Sequence, residues 1–337
     1  MVKKISLKDI ASQVGVSTAL VSYVLNNQKE GRINKDVAQR IRDTAKRLNY
    51  RTNQVAKSLK TNKTFTIGLI VADISNPFFS SLARIIEDEA DKNNYTVIFG
   101  SSDESPVKSE KLMETLLNRQ VDGLIIAPPQ NSESQIKYLI EQGIPFVLID
   151  RYFPGIETNY VAIDNYKAAY RATQHFIDSG RKRIGMITYE SSIFNLNERT
   201  SGYLSAMEEN EIPYKENWLK ELKPNNTRMC IEKAINELLD GPKPADALLF
   251  SSNTIAAMGL KHLNSLGIKI PDQLAVISFD ESEAFDLFYA PLTFIKQPLQ
   301  EMGQTAIKVL LETIGKNNKL TQINIEADLV IRESTTG

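Results

Sequence analysis

The first 50 residues place apolar side chains at helical rather than strand spacing. Leu7, Ile10, Ala11 and Val14 recur at i, i+3, i+4 and i+7, the stripe of an amphipathic helix. Ser6 with Asp9 fits a capping box at its start, and Gly15 can take the positive φ that ends it sharply. Ser17 is placed to cap a second helix, with Leu20, Val21, Val24 and Leu25 facing inward and Thr18, Ala19, Ser22 and Tyr23 facing out. Asn34 is placed to cap a third, whose inner stripe is Val37, Ile41, Ala45 and Leu48. The pattern predicts a small all-α head over residues 1–50. Whether its first two helices form a helix-turn-helix or an ordinary helical hairpin stays open on pattern alone. Residues 51–63 carry Val55, Ala56 and Leu59 at i, i+1 and i+4, too short a stripe to hold a helix by itself. Linker and helix are both compatible with it.

From Phe65 the period changes. Apolar runs suited to buried parallel strands lie at 67–72, 97–100, 124–127, 146–149, 184–188, 247–250 and 275–279. Helical patterns fall at 77–92, 109–118, 134–142, 166–179, 199–209, 227–239 and 255–266, and Asn76-Pro77 is a cap followed by proline at the first helical position. Alternation of this kind predicts doubly wound parallel sheets. Seven strands and a strand-like end at 323–331 exceed one comfortable sheet, and a break near 160–165 divides them. The expected body, 64–337, has a first lobe of about 64–162 plus 294–322 and a second of about 163–293 plus 323–337. Ligands of such sheets bind beyond the carboxyl ends of the strands, so two facing lobes predict a cleft.

Charge separates head from body. Residues 1–63 hold 14 Lys or Arg against four acids, whereas the other 274 hold 26 basic and 37 acidic side chains. Duplex phosphates reward such a basic head, and this favours the helix-turn-helix over the bland hairpin. Other classes are excluded by what is missing. No run approaches a membrane span, and Met1-Val-Lys-Lys-Ile-Ser6 lacks a secretory apolar region. A single cysteine, Cys230, suits a reducing cytoplasm. Cys230, His175 and His262 are scattered, which argues against a metal site and against Ser/His/Asp or Cys/His catalysis. The turn after the first strand, Ala72-Asp-Ile-Ser-Asn-Pro77, has no glycine for a dinucleotide. No enzyme and no cofactor is expected.

The order of several motifs resembles the LacI/GalR family of bacterial transcription regulators along essentially the whole chain. They are residues 7–22 with Val24-Leu-Asn26, Leu48-Asn-Tyr50, Asn53–Leu59, Ile67–Ile70, Ser75-Asn-Pro-Phe-Phe79, Val121–Ile126, Ile149-Asp150, Arg199–Gly202, Phe279-Asp280 and Pro291–Gln297. The resemblance implies a helix-turn-helix head, a hinge helix, and an α/β body of two lobes like the periplasmic sugar-binding proteins. It implies base readout by Thr18, Ala19 and Tyr23, and phosphate contacts by Ser17, Ser22, Asn26, Asn27, Lys57 and Lys60. Val55, Ala56 and Leu59 become the hinge helix, with Leu59 wedged into the minor groove. The implied effector site is Phe78, Phe79, Asp150, Arg199, Asn253 and Asp280, a mixture of aromatic faces and charged or amide groups that suits a sugar or polyol. The two phenylalanines fit a core role equally well. An Arg199–Asp280 ion pair at the cleft mouth is expected.

Where purine-binding relatives stack an aromatic ring, this chain has Asn225-Asn226, which disfavours a nucleobase, although Trp218 lies nearby. The implied partners are a pseudo-palindromic operator and a second copy of the chain, with a dimer expected because no leucine heptad follows residue 331. The rival reading is a cytoplasmic sugar-binding protein with no role in gene control, which would leave the basic head without a use.

Tyr23 stands where most relatives carry arginine. A phenol makes one hydrogen bond where a guanidinium grips guanine O6 and N7 together. Tyr23→Arg should therefore move selection on randomised DNA toward guanine at one half-site position. An unchanged preference would show that this helix does not read bases.

Overall fold

The computed structural model describes residues 5–26, 32–50, 63–213, 218–223, 227–316 and 319–336. Its contacts divide it into two units, Met1–Thr64 and Phe65–Gly337.

The head consists of α1 (Leu7–Val14), α2 (Thr18–Leu25) and α3 (Lys35–Arg47). Its caps follow from local chemistry. Ser6 and Asp9 form the reciprocal capping box, Gly15 takes φ 77°, and the Ser17 hydroxyl accepts from the Leu20 amide. The Asn34 carbonyl oxygen accepts from the amides of Asp36 and Val37. Ile10, Val21 and Ile41, one from each helix, meet fully buried. Arg40 reaches the Val14 carbonyl at 3.2 Å, which ties α3 to the turn.

The body holds two six-stranded sheets. Strands β1 (Thr66–Val71), β2 (Thr96–Ser101), β3 (Gly123–Ile126), β4 (Phe146–Ile149), β5 (Tyr160–Ile163) and β11 (Gln322–Ile325) form the first, in the order β11-β5-β4-β3-β1-β2. The second contains β6 (Ile184–Tyr189), β7 (Leu219–Leu222), β8 (Ala247–Phe250), β9 (Ala275–Phe279), β10 (Thr293–Lys296) and β12 (Asp328–Val330), in the order β12-β10-β9-β8-β6-β7. All pairings are parallel except β10 with β12. The two sheets share one winding, so β4 of the first corresponds to β9 of the second. Their central strands are buried on both faces and apolar throughout, as parallel strands covered by helices must be.

The helices are α4 (Pro77–Lys92), α5 (Pro106–Asn118), α6 (Glu133–Glu141), α7 (Asn165–Asp178), α8 (Phe194–Glu209), α9 (Thr227–Leu239), α10 (Asn253–Ser265) and α11 (Leu299–Ile314). Helix α11 packs on α4 and on the first sheet although it follows a strand of the second. The chain therefore crosses between lobes after β5, after β10, and between β11 and β12.

Two of these crossings differ from the expected boundaries. Residues 294–296, expected in the first lobe, pair with β9 and β12 in the second. The single strand expected at 323–331 is two strands in different sheets, with residues 323–325 in the first. Apolar alternation runs unbroken through Ile323, Ile325, Leu329 and Ile331, so it carries no mark of the switch. Strands β5, β7 and β10 and helix α11 were not among the expected elements.

One close approach sets the second lobe. A Cβ at Gly202 of α8 would strike the Tyr166 carbonyl oxygen of α7 and come within 2.9 Å of the Tyr170 amide nitrogen. Backbone atoms cannot swing aside as side chains can, so only glycine fits. Gly202→Ala should cost about 1–3 kcal/mol or more in urea unfolding, the range for overpacking. An unchanged midpoint would contradict this packing.

Candidate functional site

In both lobes the corresponding strand ends in an aspartate with left-handed backbone: Asp150 follows β4 at φ 66° and Asp280 follows β9 at φ 67°. Among residues with a side chain, aspartate and asparagine tolerate this conformation best. The two carboxylates lie on opposite lobes and line one cavity of about 500 Å³ at the carboxyl ends of the strands. Phe78, Phe79 and Arg199 line it as well. Phe78 and Phe79 are buried, at 6% and 3% exposed, pack edge to face at 4.9 Å, and also line the cavity.

Arg199 is held by its own lobe. Its Nε donates to Asn165 Oδ1 at 2.8 Å, its Nη1 donates to the Ser251 carbonyl at 2.7 Å, and its guanidinium lies 4.1 Å from the Phe279 ring centre. Burial lowers its pKa, and the charges of Asp280 and Asp150 act in the opposite sense. The expected direct ion pair with Asp280 is absent. Asp280 Oδ1 instead accepts from Gln297 Nε2 at 2.6 Å, and Arg199 spends its donors on Asn165 and Ser251.

Pattern reading missed a second arginine. Arg151 donates bidentately to Glu104 at 2.7 and 2.8 Å and lies 3.5 Å from Asp150. Burial disfavours its charge, but the hydrogen bonds and charge of Glu104, with Asp150 and Asp280, more than compensate, and its pKa is raised. Its position directly after Asp150 was the available signal. Burial pushes the Asp150 carboxyl up to about 6, against the opposing pull of Arg151 and Arg199. Three buried polar atoms on the cavity wall have no hydrogen-bond partner: Arg151 Nε, Asn195 Oδ1 and Gln297 Oε1.

Asn253 does not line this cavity. It opens α10 and donates from Nδ2 to Asn76 Oδ1 at 3.0 Å, a bond that joins the two lobes. Ser191 and Gln130 join them again at 3.3 Å. Trp218 is buried among core residues of the body, away from the cavity lining, and Asn225-Asn226 lie outside the described residues.

In the head, Ser17, Thr18 and Ala19 are exposed at the start of α2, whereas Ser22 and Tyr23 are half-buried one turn on. The Asn26 amide donates back to the Ser22 carbonyl at 2.8 Å. Asn27, Val55, Ala56, Lys57, Leu59 and Lys60 lie outside the described residues.

Residues 6–53 match the family model for bacterial regulatory proteins of the lacI family. Residues 64–333 match the model for periplasmic binding proteins and the sugar binding domain of the LacI family. The HTH-type transcriptional regulator DegA of Bacillus subtilis is 31% identical over 340 residues, spanning 99% of this chain and 98% of that protein. The HTH-type transcriptional repressor PurR of Haemophilus influenzae is 30% identical over 336 residues, 98% of each. The lac repressor dimer bound to operator and the anti-inducer ONPF superposes with a TM-score of 0.87 at 20% identity, covering 99% of this chain and all of that one. A LacI family regulator from Enterococcus faecium with bound ribose gives a TM-score of 0.69 at 28% identity, over 80% of this chain and 98% of that one.

The raised pKa of Asp150 has a consequence for stability. Between the ordinary carboxylate value of 3.8 and about 6, the folded protein holds a proton that the unfolded chain releases. This group's contribution to stability is thus greatest at low pH and falls as pH rises through that window. Asp150→Asn keeps a residue suited to left-handed backbone and removes the charge. It should raise stability at pH 7.5 by on the order of 1–3 kcal/mol, with the gain vanishing near pH 4. A variant less stable than the parent at pH 7.5 would mean that the carboxylate is stabilising as charged.

Proposed function

The chain belongs to the LacI family of bacterial regulatory proteins and is a DNA-binding transcription regulator rather than an enzyme; we propose that a carbohydrate bound between the lobes of its body sets its affinity for an operator. One observation carries this reading. A cavity of about 500 Å³ is walled by phenylalanines and buried charge, with Asn195 Oδ1 and Gln297 Oε1 lacking a hydrogen-bond partner. Sugars supply both halves of the match: apolar ring faces, and hydroxyls that donate and accept. The ribose bound to the relative from Enterococcus faecium supports the ligand class.

In this proposal Thr18, Ala19 and Tyr23 read bases, while Ser17, Ser22, Asn26 and Asn27 hold phosphates. Residues 51–63 form the hinge, in which Val55, Ala56 and Leu59 enter the minor groove between phosphate contacts from Lys57 and Lys60. Phe78, Phe79, Asp150, Arg199 and Asp280 contact the effector, and Asn253 closes the cleft by bridging to Asn76. The protein acts as a homodimer on a pseudo-palindromic operator. Exposed apolar groups on the edge strand β2 and just after it support a second copy there, with Phe99 58% and Val107 75% exposed. Among the described residues no helix is long and apolar enough to cross a membrane, and the cytoplasm, where duplex DNA lies, is the proposed compartment.

Two substitutions separate the roles. Asp280→Ala should keep operator affinity and lose the response to the sugar. Leu59→Ala should lose most specific operator affinity and keep sugar affinity. The parent's coupling should be about 1–3 kcal/mol, read as operator affinity by fluorescence anisotropy with and without sugars that raise the melting temperature. A full response in Asp280→Ala would place the effector elsewhere.

A further inference from the structure

A second chamber adjoins the cavity and bears on what it binds. It measures about 370 Å³ and shares the Phe78, Asp280 and Gln297 wall with the first. Asp280, Glu281, Glu283 and Asp286 line it, against a single cation, Arg332. Arg332 is already engaged with Asp286 and lies over the Phe294 ring, and Glu281 is paired with Lys296 at 3.5 Å. Glu283 and Asp280 have no cation within 4 Å among the described residues. The larger chamber is acidic too, with five carboxylates against the two guanidiniums of Arg151 and Arg199.

The shared wall adds an independent indication. Gln297 is 5% exposed, its Nε2 is committed to Asp280, and its Oε1 has no partner. The free oxygen calls for a donor from whatever occupies the space beside it. Asn195 Oδ1, also 5% exposed, makes the same demand from the larger chamber. Among the described residues no cluster of carboxylates, imidazoles or thiols is arranged to hold a metal ion.

We propose that the effector carries a protonated amino group, as an amino sugar does, and that the chamber of Asp280, Glu283 and Gln297 receives it. An ammonium offers three donors and a positive charge to a wall of acceptors, and its hydrogen bonds to carboxylates are about twice as strong as neutral ones. Sugar phosphates and uronates would enter an acidic field focused by the cleft and are rejected. This inference rests on the interlobe cleft being the effector site, as proposed above.

The test uses the full-length protein with D-glucosamine, D-galactosamine and D-mannosamine, their neutral parent sugars, and glucuronate and galacturonate, each titrated by calorimetry at pH 7. At least one amino sugar should bind about tenfold more tightly than its parent, the worth of one neutral hydrogen bond becoming charge-assisted. That advantage of the amino sugar over its parent should shrink in high salt and in Glu283→Gln, and the uronates should not bind. Equal or tighter binding of a parent sugar, binding of a uronate, or no binding of any amino sugar would overturn the proposal. Operator affinity measured beside each titration tells the two failures apart. If a neutral sugar alone binds and alters operator affinity, the regulatory reading stands and only the amino group is wrong. If a sugar binds the cleft and leaves operator affinity unchanged, the regulatory reading fails.

Discussion

The architecture depends on holding buried charge where the two sheets face each other. Two parallel sheets point their carboxyl ends at one another, and corresponding strands in the two lobes end in Asp150 and Asp280. Burying either carboxylate, or Arg151 or Arg199, costs several kcal/mol unless something compensates. Each lobe compensates within itself: Arg151 through Glu104, Arg199 through Asn165 and the Ser251 carbonyl, Asp280 through Gln297. The compensation is incomplete: the Asp150 carboxyl is displaced upward by burial, and Asn195 Oδ1 and Gln297 Oε1 on the wall lack a hydrogen-bond partner. In the proposed reading a carbohydrate between the lobes supplies the missing hydrogen bonds.

Because satisfaction is divided between lobes, position matters. Three crossing segments join the lobes covalently, and single hydrogen bonds from Asn253 to Asn76 and from Ser191 to Gln130 span the opening. Bonds so few cost little to break, whereas a ligand touching both walls adds contacts that exist only when the walls are close. An equilibrium of this type is what a ligand can shift, by as much as its preference for one state and no more. In a regulator of this family the proposed readout is operator affinity.

What the sequence disclosed follows the range of each interaction. The caps at Ser6, Gly15, Ser17 and Asn34 act over three or four residues and were readable from spacing, as were the doubly apolar central strands. Strand β7, Leu219-Lys-Glu-Leu222, is a half-polar edge strand with no such signature. Helix α11 has Met302, Ala306, Val309 and Leu310 at helical spacing, yet it was not among the expected elements, and nothing local marks its place on the opposite lobe from the strand before it. In the site, Asp150, Arg199, Asp280 and the two phenylalanines came together as expected. The Arg151–Glu104 pair spans 47 residues of sequence, and no local pattern announces it. Arg199 and Asp280 were expected to pair because they carry opposite charges, yet nearer neutral groups took their hydrogen bonds. Asn253 lies outside the lining of this cavity and bonds to Asn76 across the lobes instead.

The most direct test of the account is thermodynamic reciprocity. For a sugar that stabilises the protein, its affinity is measured for the free protein and for the protein saturated with operator duplex, and operator affinity is measured with and without that sugar. The account predicts that the two ratios are equal and differ from one, since a single coupling free energy links the sites. Identical sugar affinity in the free and operator-bound protein would contradict it.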